Sequence, residues 1–326
     1  MSDVYLTVDL GGTRIRAARC HADGTIESRT ERMTKAASGA DAVIGRIEQT
    51  LRKVWPEANP RGEVDTVQAI SVVAPGPVDP WTGVIFIAPN LPGFVDIPLR
   101  DRLASIFHVP VYIGNDANLA GLAEWRFGAA RGHQHMIYLT ISTGIGGGVI
   151  VDGKLLLGSR GLGAELGHVT ADVNGEHCLC GNVGCIEWLA SGTGIVRQAV
   201  RRLRAGEPSL MTELTHGNLD TLNVEVVEQA ARANDALAID VFKCAFHALG
   251  LNLTSLLHIF NPSIVVIGGG VSNMGDRLFK PLQASVDEHV MNPRYLCPIV
   301  PAQLRGDVGL LGALALALDP PPQRSA

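Results

Sequence analysis

A chain of 326 residues, 46% of them hydrophobic, can bury a large core, and its length exceeds that of a typical single domain. Its 27 Lys and Arg against 32 Asp and Glu give a formal net charge of −5, which disfavours a broad nucleic-acid surface. Residues 1–10 lack the features of a signal peptide, and no run approaches the ~18 apolar residues of a membrane span. We therefore expect a cytoplasmic, two-lobed protein with small-molecule partners, and neither nucleic acid nor a membrane among them.

Alternating apolar residues fill the N-terminus in two runs that a pair of glycines separates. The first run ends at Asp9, and Gly11 and Gly12 turn the chain. The second run extends to a further turn at residues 23–24. This pattern predicts a strand meander. It disfavours a dinucleotide-binding or phosphate-loop fingerprint, because both need a helix directly after the glycines.

A second stretch repeats this organisation. A strand is predicted at residues 136–142, a glycine turn at 143–147, and a further strand up to a turn at 152–153. Another glycine cluster, at 264–272, follows a buried apolar run. Each turn alone could be a plain hairpin. Together they predict two similar lobes whose bare backbone amides approach phosphate oxygens across a cleft.

Helices are expected between these strands. Helix-compatible periodicity or composition occurs at residues 40–54, 97–107, 116–127, 190–205, 224–258, 276–290 and 308–318. Residues 205–222, rich in Pro, Gly and polar side chains, predict a surface excursion. Residues 319–326 predict a disordered tail.

One cluster has the composition of a metal site: His168, Cys178, Cys180 and Cys185. One imidazole and three thiolates suit tetrahedral Zn²⁺ and leave no open position, which predicts a structural ion. Three free thiols beside an unrelated histidine, or a redox pair, are the alternatives. The remaining cysteines are interpreted as core residues: Cys20, Cys244 and Cys297.

Asp116 is the candidate catalytic side chain. It lies in VYIGNDANLAGLAEW, where an apolar strand stops and a helix begins. Its carboxylate would therefore project from a strand end into the cleft. From the residues alone, two roles stay open: a general base, or a cap for the following helix.

Several long motifs, in one order, resemble the ROK family of sugar kinases and sugar-responsive repressors. They are DLGGT at 9–13, APGPVD at 74–79, GNDAN at 114–118, the stretch 141–168, the cysteine segment and NPSIVVIGGG at 261–270. The resemblance covers residues 5–318, and APNL at 88–91 with EWRFGAARG at 124–132 is most similar to the family's bacterial glucokinases.

The resemblance implies an α/β fold of the actin-like ATPase (ribonuclease H-like) type, with two lobes around a cleft. Residues 1–122 would form a small lobe, completed by a C-terminal helix at 306–318, and residues 123–305 a large lobe. It also implies a homodimer or homotetramer.

Site roles follow from the resemblance as well, with Asp116 as the catalytic base. The implied sugar contacts are Gly76, Asn90, Asn115, Asp116, Glu165, His168 and Glu187. The implied nucleotide contacts are Asp9, Gly11, Gly12, Thr13, Arg14, Thr143, Gly144, Gly269 and Gly270. Asp9 would serve Mg²⁺, and the last two glycines would flank the adenosine of ATP. Arg14 departs from the Lys or Asn of many relatives, and Arg is not a simple replacement for either.

The expected activity is transfer of the γ-phosphoryl group of ATP to the 6-hydroxyl of glucose, with Mg²⁺ and a structural Zn²⁺. Another hexose is an open alternative, such as N-acetylmannosamine, N-acetylglucosamine, fructose, allose or mannose, because a few side chains decide pocket shape. Polyphosphate as donor is a further alternative. A non-catalytic sugar sensor that regulates transcription would need a DNA-reading domain before the core, and the first phosphate motif lies within ten residues of the first residue.

Overall fold

Two five-stranded sheets, a three-stranded sheet and ten α-helices make up the part of the chain that the computed structural model describes, residues 2–58, 62 and 64–322. The strands are β1 (Asp3–Leu10), β2 (Arg14–Cys20), β3 (Ile26–Met33), β4 (Thr66–Ala74), β5 (Val78–Asp79), β6 (Val84–Ile87), β7 (Val95–Pro98), β8 (Val111–Asn115), β9 (Met136–Ile141), β10 (Ile145–Val151), β11 (Lys154–Leu155), β12 (Ile264–Gly268) and β13 (Ile299–Pro301). The helices are α1 (Ala40–Val54), α2 (Leu99–Phe107), α3 (Asp116–Arg126), α4 (Ile186–Ala190), α5 (Gly192–Arg204), α6 (Leu210–Leu214), α7 (Val224–Arg232), α8 (Ala236–Phe260), α9 (Asp276–His289) and α10 (Val308–Leu318).

The two large sheets repeat one topology. The first has the order β3-β2-β1-β4-β8 and the second the order β11-β10-β9-β12-β13. In each, an antiparallel meander leads into two parallel strands at the far side. The predicted duplication of the strand meander is therefore confirmed, and it follows from the period-two alternation in both glycine-joined runs.

The small sheet, β5-β6-β7, is an element that the sequence patterns did not predict. Its strands are only two to four residues long, too short for a clear alternation. The loop between β6 and β7 carries Asn90 to the cleft.

Helices α3 and α10 pack against each other between the two large sheets. Glycines permit close packing on both sides of α3: a Cβ on Gly312 of α10 would overlap the carbonyl oxygen of Leu119, and one on Gly121 would lie 3.2 Å from Gly148 Cα in β10. Because α10 also packs on β1 and β4, it attaches to the first sheet. The predicted lobe boundary after residue 122 falls within α3 and stays a prediction.

The predicted glycine turn at 143–147 is wrong in its extent. Strand β10 already begins at Ile145, so Gly146 and Gly147 are strand residues. A Cβ on Gly146 would lie 2.6 Å from the Cβ of Ala117 in α3. Gly146 therefore allows α3 to pack on the sheet, and Gly147 makes room for the side chain of Leu166.

The predicted helix at 224–258 is two helices, α7 and α8. Asn234 adopts a left-handed conformation with φ 62°, and the Asp235 side chain caps α8 by accepting from the amide of Ala238 at 2.8 Å. Both residue types favour such a break. The predicted surface excursion at 205–222 contains a short helix, α6, and one 3₁₀ turn at Leu219–Thr221.

Helix α8 is long and apolar enough to span a membrane by length and composition. The sequence analysis did not predict this, because it considered only continuous apolar runs. More than half of its apolar window is buried in the protein, as in a core helix. Cys244 on α8 is exposed, so its predicted place in the core is wrong, whereas Cys20 is buried. Residues 320–322 have no regular structure, and the remainder of the predicted tail, 323–326, lies outside the described residues.

Candidate functional site

A cleft of about 520 Å³ gathers the side chains of the predicted sugar site between the two large sheets. Its walls include Gly76, Asn90, Asn115, Asp116, Glu165, His168 and Glu187, together with Asp9, Thr143 and Gly144. The predicted sugar contacts, widely separated in sequence, therefore share one cavity with three of the predicted nucleotide contacts.

The helix-capping role that the sequence left open for Asp116 belongs to the residue before it, Asn115. The Asn115 side-chain oxygen accepts from the amides of Ala117, at 3.0 Å, and Asn118, at 3.2 Å. Asn115 is therefore the N-cap of α3. Asp116 is the first helical residue, its Oδ1 accepts from Ala117 at 2.8 Å, and it lines the cleft.

The environment of Asp116 favours the protonated form of its carboxyl. Although solvent reaches the side chain through the open cleft, protein atoms crowd it on its other sides. This desolvation raises the pKa of Asp116 above its ordinary value, while the amide of Ala117 acts in the opposite direction. The negative charge of Asp9 raises the pKa further. A carboxylate with a raised pKa binds a proton more readily than an ordinary aspartate.

Asp9 has a cationic partner that sequence reasoning missed. Arg16 lies directly opposite Asp9 in the β1–β2 ladder, and its Nε and Nη2 atoms both donate to Asp9 Oδ2. Its Nη1 donates to the carbonyl oxygen of Gly306 at 2.5 Å. Among the described residues that line the cleft, Arg16 is the only Lys or Arg. The strand alternation, which places it on the same face as Arg14, was the available signal.

The predicted nucleotide contacts at residues 11–14 lie at the tight β1–β2 turn beside the cleft. Gly11, Gly12 and Thr13 form the turn and Arg14 begins β2, and none of the four lines the cavity itself. Gly12 packs on Asn90, since a Cβ there would lie 3.0 Å from the Asn90 Cβ. The Arg14 guanidinium pairs with Glu31 at 2.9 Å, and more than half of each side chain is exposed.

A second cavity of about 600 Å³ begins at the turn after β9, at residues 142–143. Thr143 and Gly270 line it, and so does Thr193 at the start of α5. Gly269, with φ 85°, passes so close to β9 that a Cβ would overlap the carbonyl oxygen of Ile141. Its apolar wall is Val196, Val200, Leu222 and Val224. Sequence reasoning missed this wall, because helix periodicity already explains its valines and Leu222 lies in the predicted surface excursion.

The four predicted zinc ligands converge. His168 Nδ1 lies 3.8 Å from Cys178 Sγ, and Cys180 Sγ lies 3.6 Å from Cys185 Sγ. All four ligand atoms lie within 4.8 Å of one another. Sulfur atoms on a tetrahedral zinc, about 2.3 Å from the metal, would be about 3.8 Å apart, so the spacing fits this ion.

The zinc cluster and the cleft share a residue. His168 turns Nδ1 toward Cys178 and also lines the cleft. It ends a 3₁₀ turn, Leu166–His168. The backbone carbonyl oxygen of the preceding residue, Glu165, accepts from the His168 amide at 3.1 Å. Desolvation raises the pKa of Glu165, and the nearby His168 opposes that shift.

Comparison with known proteins identifies the family. The model of the ROK family matches residues 5–320. The chain belongs to the ROK family. A glucokinase from Thermotoga maritima is 37% identical over 311 residues, which cover 95% of each chain.

Solved structures of ROK proteins share this fold. A ROK glucokinase from Streptomyces griseus, in complex with glucose and AMPPNP, is 33% identical with a TM-score of 0.78, over 96% of this chain and 98% of its own. A ROK transcriptional regulator, a homologue of the E. coli protein MLC, is 27% identical with a TM-score of 0.82, over 98% of this chain and 79% of its own. The expected actin-like ATPase fold is thereby confirmed.

Proposed function

We propose that this protein is an ATP-dependent hexose kinase that phosphorylates the 6-hydroxyl of glucose, with Asp116 as the general base. The observation that carries the proposal is the position of Asp116 in the cleft, beside the helix-capping Asn115 and across from the turn at Thr143 and Gly144. The glucokinases among its relatives support the same activity.

The sugar would bind between polar groups that separate segments of the chain bring to the cleft. Asn90 comes from the loop after β6, whereas Glu165, His168 and Glu187 come from the segments after β11. Carboxylate and amide groups satisfy adjacent hydroxyls in a site that excludes water. Sugar binding would thus hold the 6-hydroxyl near Asp116.

Asp116 would accept the proton of the 6-hydroxyl while the oxygen of that hydroxyl attacks the γ-phosphorus of ATP. The bond from the γ-phosphorus to the bridging oxygen breaks, and ADP leaves with the electron pair. Because the pKa of Asp116 is raised, its carboxylate is a better proton acceptor than an ordinary aspartate at the same pH.

The charge of the triphosphate must be neutralised near Asp9 and Arg16. Mg²⁺ supplies most of that neutralisation when bound, and carboxylate oxygen is the ligand type that it prefers. Both bonds from Arg16 reach Oδ2 of Asp9, and no described residue donates a hydrogen bond to Oδ1. Arg16 therefore orients the Asp9 carboxylate and adds a positive charge at the cleft wall.

Zn²⁺ would be held by His168, Cys178, Cys180 and Cys185 and would act as a rigid cross-link of the loop. With Nδ1 of His168 directed at the cysteines, its Nε2 is left for a sugar hydroxyl. Cys185 precedes α4, so the same cross-link fixes the helix that carries Glu187. The ion would hold substrate groups in place and take no part in phosphoryl transfer.

A sugar sensor is the second candidate, because the ROK transcriptional regulator covers nearly the whole chain at a TM-score of 0.82. A kinase for another hexose is the third. A panel of hexoses, assayed with ATP and Mg²⁺ by coupled detection of ADP, separates them. We expect glucose to give the highest kcat/KM. A higher kcat/KM for a different hexose would make that hexose the proposed substrate. A sugar that raises Tm without any turnover would favour the sensor.

Two further expectations belong to this proposal. We propose a cytoplasmic enzyme, as its similarity to the glucokinases suggests. We also propose a homodimer or homotetramer, which sedimentation analysis would establish.

A further inference from the structure

The Glu187 carboxylate forms a hydrogen bond beside the turn at residues 142–144, which holds two of the predicted nucleotide contacts. Its Oε2 accepts the amide proton of Ile145 at 2.8 Å, directly after that turn. Within the described part of the chain, Oε1 accepts no hydrogen bond. One carboxylate thus has one oxygen fixed to the turn and the other left for a ligand in the cleft.

The glycine at position 144 is explained by this contact. Gly144 does not have a positive φ, so its backbone conformation is open to other residues. A Cβ there, however, would overlap Glu187 Oε2 and lie 3.2 Å from Cδ. A side chain at position 144 would therefore have to displace the Glu187 carboxylate, which occupies that space.

The segment that carries Glu187 also holds the other side of the turn. The hydroxyl of Thr193 donates to the carbonyl oxygen of Thr143 at 2.8 Å. The amide of Gly192 donates to the carbonyl oxygen of Ser142 at 2.7 Å. The turn at 142–144 therefore rests on one short stretch of chain, from Glu187 to Thr193, on both sides.

We propose that Glu187 is a positioning residue that couples the hexose subsite to the phosphate turn. The inference rests on the proposed function, in which Glu187 contacts the sugar. A ligand that fixes Oε1 also fixes Oε2, and hence the amide of Ile145 and the turn before it. Such a coupling is reciprocal: the hexose raises the affinity for nucleotide by the same factor as the nucleotide raises the affinity for hexose.

The first test measures Kd for AMPPNP with Mg²⁺ by calorimetry, without sugar, in Glu187→Ala and Glu165→Ala. Both carboxylates line the cleft, but only Glu187 is bonded to the turn region. We expect Glu187→Ala to weaken AMPPNP binding by about fivefold or more and Glu165→Ala to leave it unchanged. Glu187→Gln, whose amide oxygen still accepts from Ile145, should lose less than Glu187→Ala.

The second test changes the turn and measures the affinity for glucose. Gly144→Ala should displace the Glu187 carboxylate and weaken glucose binding, measured without nucleotide, by about fivefold or more. In the Glu187→Ala background, the same substitution should have almost no further effect on glucose, since the overlapping atoms are gone. A double-mutant cycle for glucose affinity should therefore show strong non-additivity.

The outcomes separate this inference from the function on which it rests. If the wild type binds glucose and AMPPNP, but Glu187→Ala and Glu165→Ala leave nucleotide affinity equally unchanged, the coupling is wrong and the kinase proposal stands. Additive effects of Gly144→Ala and Glu187→Ala on glucose affinity also overturn the coupling. A wild-type protein that binds no hexose overturns both. Melting curves confirm that each variant is folded.

Discussion

Asn115 accepts the first amide protons of α3, and Asp116, the next residue, extends its carboxylate into the cleft. A neutral side chain therefore caps the helix, and the charged side chain lies at the cleft wall. A carboxylate that is held in a partly desolvated cleft, with Asp9 nearby, is a destabilising group in the absence of ligand.

Asp116→Asn should therefore stabilise the unliganded protein at neutral pH. The folded-state pKa of Asp116 is raised above its unfolded value, so ionisation disfavours folding at pH values above the folded pKa. Below the unfolded pKa, about 3.9, both states are protonated and this effect is absent. Denaturation of the wild type and the variant between pH 8 and pH 4 should show a gain that shrinks as the pH falls. A gain that is independent of pH would contradict a charge effect.

Arg16→Gln should lower kcat by about tenfold or more, because the cleft wall loses its guanidinium and Asp9 loses its orientation. Arg16→Lys should recover part of the loss, since lysine keeps the positive charge but cannot donate the paired Nε and Nη2 hydrogen bonds to Asp9. Arg29→Gln is the matched control, as Arg29 pairs with Asp307 at 2.8 Å outside the cleft-lining set. Equal rates for the Arg16 and Arg29 variants would exclude a role for Arg16 in turnover.

Cys180→Ser should remove zinc and weaken glucose binding together. Loss of one thiolate leaves three ligands, and His168 and Glu187 are then no longer held by a cross-linked loop. We expect one equivalent of zinc in the wild type by elemental analysis, and a loss of glucose affinity of about tenfold in the variant. Cys244→Ser, at an exposed cysteine outside the cluster, should change neither quantity. A zinc-free variant with an unchanged KM for sugar would refute the coupling.

Gly312→Ala and Gly45→Ala should change stability in opposite directions. A Cβ on Gly312 would overlap the carbonyl oxygen of Leu119 and lie 2.8 Å from its carbon, so α10 and α3 must separate, at a cost of about 1–3 kcal/mol. Gly45 lies inside α1 with nothing within 4 Å of such a Cβ, so alanine should add about 0.5–1 kcal/mol. Urea denaturation of both variants measures the difference, and a Gly312→Ala protein as stable as the wild type would show that the helix contact is not tight.

The features that could be predicted from the sequence are those that local pattern or ligand chemistry determines. Period-two alternation predicts the paired meanders, and both are present. The imidazole and three thiolates predict a metal cluster, and the loop brings His168 and Cys178 to 3.8 Å. Capping of α3 could not be assigned to Asn115 or Asp116 from the residues alone, since it depends on which side chain reaches the helix amides.

The features that could not be predicted depend on neighbours distant in sequence. Gly146 looks like a turn residue until α3 is packed upon it. In the sequence Arg16 is an ordinary strand residue, and only the fold shows that it contacts the loop at Gly306 and lines the cleft. The contact of Glu187 with Gly144 joins positions 43 residues apart, and no local pattern predicts it.

The most direct test of the proposed mechanism is kcat for glucose with ATP and Mg²⁺ in Asp116→Asn, beside the Kd for glucose of the same variant. We expect kcat to fall by about a hundredfold or more, the usual effect of removing a general base, with glucose still bound. Turnover of glucose at the wild-type rate would contradict the assignment of Asp116 as the base.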